Sequence, residues 1–218
     1  MTAALDLTLD ELRIELAPAI ARAAIFDGWS DAALANAGAA KGVDPAVARL
    51  AFPGGASDMI AAWIAAVDAR MEQAFDREVL AQMPIRERIR ALVWFRLEAV
   101  TGLEEALRRS LAIQAMPQNL AGTAKLAWHS ADTMWRLAGD TATDYNHYSK
   151  RAILAGIYAA TLAVFVDDES EDKAATRAFL DRRIEGVMKF EKAKARWLRP
   201  REHFDPLRFL GRLRYPAR

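Results

Sequence analysis

Two Asp/His pairs are the first residues in this chain that could do chemistry: His129 with Asp132, and Asp144 with His147. A spacing of three puts both side chains of a pair on one helical face, as the start of a metal site would require. A metal site needs three or four convergent ligands, and the chain holds three histidines in all. Helix capping or surface hydrogen bonding is the plainer role for these pairs. There is no G-x-S-x-G elbow, no H-E-x-x-H pair and no glycine-rich phosphate loop. Cysteine is absent, which removes thiol catalysis, thiolate metal sites and disulfides and suits a reducing cytoplasm. We therefore expect no catalytic residue, no metal and no cofactor.

Beside the second pair lies an unusual run. Ala152–Val166 is fifteen residues without a formal charge, fenced by Lys150–Arg151 before it and Asp167–Asp168–Glu169 after it. At about 1.5 Å per residue it reaches about 22 Å as a helix, short of the ~30 Å hydrocarbon core of a bilayer. No run reaches the ~18 apolar residues of a spanning helix. A helix apolar on all sides must be buried on all sides or line an apolar cavity. Its small residues (Ala152, Ala155, Gly156, Ala159, Ala160 and Ala163) suit close packing and open space equally, so core helix and pocket wall both stand.

The elements that must position these residues are helical. Ile60, Trp63, Ile64, Val67, Met71 and Phe75 recur at helical spacing within 57–78. Segments 84–101 and 117–138 open at Pro84 and Pro117, and the second stops at Gly139. Thr143 or Asp144 is placed to cap the helix that carries the apolar run, and Asp167–Asp168 to end it. Leu180, Ile184, Val187 and Met188 turn one face of 172–197 inward. With 218 residues, 53% of them hydrophobic, and no sustained strand alternation, the chain reads as an all-α protein of about nine or ten helices. Boundaries are expected near 78–84 and 198–200, giving a small bundle over 1–80, a larger one over 81–198 and a tail over 199–218.

Residues 30–64 read as a helix-turn-helix: Ser30 caps one helix, Lys41–Gly42–Val43 turns, and Asp44–Pro45 starts the next. The layout is that of TetR-type repressors. Its charges oppose DNA binding, because Lys41 and Arg49 meet Asp31, Asp44 and Asp58 over 30–60, a net of −1. The second helix offers base edges almost no hydrogen-bonding side chain. The net charge of the whole chain, +1, does not suit a nucleic-acid coat either.

Residues 199–218 carry six arginines against Glu202 and Asp205, a net of +4. Phe204, Leu207, Arg208, Phe209, Leu210, Arg212, Leu213 and Arg214 combine cationic, aliphatic and aromatic groups, as a segment lying on an anionic bilayer requires. A solvated tail, or one docked on the protein's own acidic surface, is the alternative.

The stretch "DTMWRLAGDTATDYNHYSKRAILAGIYAATLAVFVDDESEDKAATRAFLDRRI", residues 132–184, closely resembles the signature region of the coenzyme Q biosynthesis lipid-binding family. This is the family of the ninth-numbered Coq protein of eukaryotes and its bacterial relatives. Gly139–Asp140, Thr143–Asp144, Tyr148, Lys150–Arg151, Leu154, Tyr158, Phe179–Leu180 and Arg183 carry the match, and with the N-terminal layout it spans about residues 8–197.

The resemblance implies a TetR-like fold that has abandoned DNA for lipid, in a non-enzymatic, homodimeric accessory protein of ubiquinone biosynthesis. It implies an isoprenoid quinone or phospholipid ligand, with Trp128, Met134, Tyr148, Ile153, Ile157, Tyr158, Leu162 and Phe165 as lipid-binding residues. It implies a partner surface for the di-iron hydroxylase of the pathway at Asp132, Met134, Trp135, Asp140, Asp144, Tyr145 and Asn146. His147 stands where eukaryotic members carry tryptophan. The expected location is cytoplasmic, peripherally on the inner face of the cell membrane. A ligand-responsive TetR-type transcription regulator is the alternative function, and a small metal-dependent enzyme built on the Asp/His pairs a third.

Overall fold

The computed structural model describes residues 7–143 and 145–197, with side chains as far as Lys189. Among these residues there are ten α-helices and no strand, as the periodicity predicts. Thr8 starts the first helix with a reciprocal cap. Its hydroxyl accepts from the Glu11 amide at 3.3 Å, and the Glu11 carboxylate accepts from the Thr8 amide at 2.8 Å. Helix α1 (Leu9–Asp27) follows, with Leu12, Leu16 and Ile20 fully buried.

The helix-turn-helix is present as expected. Ser30 caps α2 (Asp31–Ala40), and Gly42 makes the turn at φ +69°, a conformation that a side chain would resist. Asp44 then accepts from the Ala46 amide at 2.7 Å to open α3 (Pro45–Ala51). Val47 and Leu50 of α3 face solvent. The long helix α4 (Ala56–Ala74) packs against α1 and buries Met59, Ile60, Trp63, Val67 and Met71. Trp63 meets Trp29, ring centres 5.3 Å apart, and Trp29 donates its indole N–H to the Ala106 carbonyl at 2.9 Å.

Short α5 (Arg77–Ala81) leads to α6 (Ile85–Glu98), α7 (Glu104–Gln114), a 3₁₀ turn at Pro117–Asn119, and α8 (Leu120–Leu137). Helix α9 (Tyr145–Asp167) and α10 (Ala174–Trp197) complete the order. The described residues up to Asp181 form one compact unit, and those from Arg182 belong to a second. In the first unit α8 packs against α4, α6, α7 and α9. Helix α5 and the turn before Pro84 lie at the position of the expected boundary near residue 80, and the described residues on both sides of them belong to the one compact unit.

Helix α9 carries the apolar run. Only a third of its most apolar 18-residue window is buried, so it is not enclosed on all sides. Leu154, Thr161 and Phe165 are buried, whereas Ala152, Gly156, Ala159 and Ala163 are exposed. Small side chains make that outward face tolerable, because each presents little apolar area to water. With its 23 residues α9 has the length and composition of a membrane span, which core helices of globular proteins can share.

Asp168 fixes the corner between α9 and α10. Its Oδ1 accepts from the Ser170 amide and hydroxyl, and its Oδ2 from the Thr176 amide at 2.7 Å and hydroxyl at 2.6 Å. Burial opposes ionisation there, but the hydrogen bonds from Ser170 and Thr176 outweigh it and hold the carboxyl well below the usual carboxylate range. A depressed folded value contributes stability that is complete above the unfolded pKa of ~3.9 and is lost as pH falls through the folded value. Asp168→Asn should therefore be less stable than the parent at neutral pH. Below about pH 4 the gap between them should narrow in urea titrations. A gap independent of pH would contradict this role for the carboxylate.

Candidate functional site

The stretch "GDTATDYNHYSKR" joins α8 to α9, and most of its charges turn inward. Arg151 is buried. Its Nε donates to Asp132 Oδ1 at 2.6 Å, and its Nη1 donates to Asp140 Oδ2 at 3.1 Å and to the His147 carbonyl at 3.0 Å. Lys150 donates to Asp140 Oδ1 at 2.7 Å and sits 5.4 Å from the centre of the Trp135 ring, whose N–H donates to the Lys150 carbonyl. Burial raises the Asp140 pKa, but hydrogen bonds from Lys150 and Arg151 more than reverse this and keep it ionised below the usual range. Arg88 donates to the Ala138 carbonyl at 2.7 Å, beside Gly139 at φ +85°. The signature is thus a clasp that sets where α9 leaves α8.

Above the clasp stands an aromatic group. Tyr148 packs on His147 at 5.1 Å and on Trp128 at 6.0 Å, centre to centre. Tyr145 and Tyr148 are exposed, and His147 faces the Ala142 carbonyl with its Nδ1 at 3.0 Å.

Two cavities flank α8. The larger, about 540 Å³, lies between α4, α7, the 3₁₀ turn and α8, and mixes Ile60, Leu126 and Trp128 with Asp58, Gln118, Lys125, His129 and Asp132. The second, about 240 Å³, lies between α4, α6, α7, α8 and α9, and its wall is almost wholly apolar. Trp63, Ile64 and Val67 come from α4, Leu111 from α7, Leu126 and Ala127 from α8, and Ala155, Tyr158, Ala159 and Leu162 from α9. Gln114, Thr123 and Leu126 line both and form the partition between them. Arg96 enters the apolar cavity from α6, paired with Asp68 of α4.

The residues expected to bind lipid divide by position. Tyr158 and Leu162 line the apolar cavity, and Trp128 lines the polar one. Met134 and Phe165 are fully buried and line neither cavity. Ile153 and Ile157 are half-buried outside both linings, and Tyr148 is on the surface. Of the residues expected to meet a partner, Tyr145 and Asn146 are exposed and Trp135 is half-buried, whereas Asp132 and Asp140 are engaged by Arg151. Asp144 and the tail residues 204–214 lie outside the described residues. Among the described residues no group of three or more His, Asp or Glu is placed to hold a metal.

The sequence reading did not single out the α6 and α7 walls of the apolar cavity, nor Arg96. One signal was present: Asp68 and Arg96 each follow a run of five or more uncharged residues, in "AAWIAAVDARM" and "ALVWFRLEAV", at a position on the apolar side of its helix. Opposite charges at core positions of two helices point to a buried pair.

An all-α bundle with an apolar cavity beside the clasp that joins α8 to α9 defines the class of protein. In fold the chain is similar to the crystal structure of a TetR transcriptional regulator from Nitrosomonas europaea, with a TM-score of 0.65 at 21% identity, covering 81% of this chain and 98% of that one. Residues 120–191 match the model of the COQ9 family. The chain is 34% identical to the rat mitochondrial ubiquinone biosynthesis protein COQ9 over 74% of this chain and 54% of that protein. It is 31% identical to the human protein over 74% and 52%, and 27% identical to the fission yeast protein over 72% and 62%. The chain thus spans about half the length of the mammalian relatives it matches.

Proposed function

We propose that this chain is a non-enzymatic accessory protein of ubiquinone biosynthesis that holds an isoprenoid lipid or quinone precursor and presents it to the pathway's di-iron hydroxylase. The observation that carries the reading is the apolar cavity of about 240 Å³, whose α8 and α9 walls fall in the segment that matches the COQ9 model. Burying each CH₂ stabilises by about 0.8 kcal/mol, so apolar walls suffice to draw a polyprenyl chain from a bilayer without bond chemistry. Lipid extracted from the gently purified full chain should contain an isoprenoid or phospholipid in a fixed ratio to protein. A protein that is consistently empty and has no affinity for added polyprenyl quinone would end the proposal.

The partner surface in this reading is the exposed side of the clasp, where Tyr145 and Tyr148 stand free of the Arg151 ion pairs. Exposed tyrosines are favoured at interfaces, and removing a central one costs ~2 kcal/mol or more of binding. Tyr145→Ala with Tyr148→Ala should weaken capture of the hydroxylase about thirtyfold or more while leaving helical content unchanged. Unaltered capture would move the interface elsewhere. The protein works at the inner face of the cell membrane and as a homodimer in this scheme. The regulator alternative gains nothing from α3, whose exposed residues include Pro45, Ala46, Val47 and Leu50, with Arg49 as its single cation.

A further inference from the structure

We propose that a third cavity, between α1, α4 and the loop that joins α6 to α7, binds a phosphate group through Arg22 and Arg70. The cavity is about 270 Å³ and is lined by Arg22 of α1, Trp63 and Arg70 of α4, and Thr101 and Leu103 of the loop, among others. Both arginines are exposed, and neither has an ion pair or a hydrogen bond among the described residues. No carboxylate lines this cavity. Glu104, the acid next to Leu103, is held by Lys173 at 3.3 Å. Neither arginine lies in the last turn of its helix, so the attraction of a helix C-terminus for cations does not account for them.

Two guanidinium groups on one cavity repel each other, and an anion between them turns repulsion into attraction. A phosphate monoester carries close to two negative charges at neutral pH, which matches two cations. Its tetrahedral oxygens can meet guanidinium donors from two helices at once. A third donor stands beside them. Trp63 is 5% exposed and its ring is set against Trp29. Its indole N–H has no hydrogen-bond partner among the described residues and, unlike Arg96 Nε, is not sealed from solvent. The same ring borders the apolar cavity, where hydrocarbon brings it no acceptor, whereas a phosphate oxygen does. The cavity is set away from the helix-turn-helix. Helix α3 meets α1 at Arg13, which donates to the Ala51 carbonyl nine residues before Arg22, about 13 Å along the helix. The phosphate therefore belongs to a lipid headgroup or to a soluble phosphate ester.

The test follows the Trp63 indole N–H resonance of the isotope-labelled full chain, assigned with Trp63→Phe, as inorganic phosphate is added at constant ionic strength. The resonance should move saturably, with a dissociation constant on the order of 1 mM or tighter, and chloride should leave it in place. Arg22→Gln with Arg70→Gln should weaken phosphate binding about a hundredfold, tenfold for each charged hydrogen bond lost. Both arginines are exposed, so this variant should keep the parent's helical content. Arg49→Gln with Arg77→Gln makes the same change of charge outside the cavity and should bind phosphate as the parent does. Phosphatidylcholine vesicles with and without phosphatidic acid, whose head is a phosphate monoester, separate the two sources. Recruitment to phosphatidic acid that falls in the Arg22/Arg70 variant but not in the control assigns a lipid headgroup. Equal recruitment of the two variants, with phosphate binding intact in the parent, assigns a soluble ester. A shift that does not saturate, one that chloride matches, or equal phosphate affinity in parent and Arg22/Arg70 variant would mean an adventitious ion only and overturn the site.

Discussion

Asp68→Ala is expected to destabilise the protein by about 3–5 kcal/mol, seen as a lower denaturant midpoint with little change in slope. The substitution strands Arg96, which is 2% exposed, in an apolar interior without its counter-ion. Single domains are stable by only about 5–15 kcal/mol, so this is a large share of the total. The cost belongs to the broken pair more than to the pair itself, because replacing both charges by apolar groups is often neutral. Asp68→Ala combined with Arg96→Met should therefore recover most of the loss. If the double variant is as unstable as the single one, the Ser130–Asp68–Arg96 network contributes stability of its own.

The second large effect is expected from filling the apolar cavity. Ala127 lines it from α8, facing Ala155, Tyr158 and Leu162 of α9. Ala127→Trp would occupy much of the about 240 Å³. If one five-carbon isoprene unit is excluded, the lost transfer energy is about 4 kcal/mol, roughly a thousandfold in affinity. Lipid recovered with the variant should fall to background, while far-ultraviolet circular dichroism keeps its helical signature. Undiminished lipid would place the binding site outside this cavity, with the polar cavity between α4 and α8 the next to block.

The clasp between α8 and α9 separates what could be read early from what could not. Gly139, Asp140, Thr143, Lys150 and Arg151 stand out as a pattern in the sequence, and a pattern alone does not say whether it binds a partner or holds the fold. Arg151 is buried against Asp132, Asp140 and the His147 carbonyl, which is a fold-holding arrangement, while Tyr145 and Tyr148 of the same stretch reach solvent. The same ambiguity attached to the apolar run. Periodicity identified α9, yet Leu154 and Phe165 went to the core, Tyr158 and Leu162 to the cavity, and Gly156 to the surface.

By itself the sequence determined the all-α class, the helix-turn-helix with its Ser30 and Asp44 caps, the Gly42 turn and the end of α9 at Asp167. These depend on neighbours within about four residues, so local spacing contains them. Only the tertiary structure decided where the cavity lies and which residues guard it. A helical stripe tells which side chains face inward but not whether the space they meet is filled. Asp68 and Arg96 are 28 residues apart, on different helices, and only packing brings the carboxylate against the guanidinium.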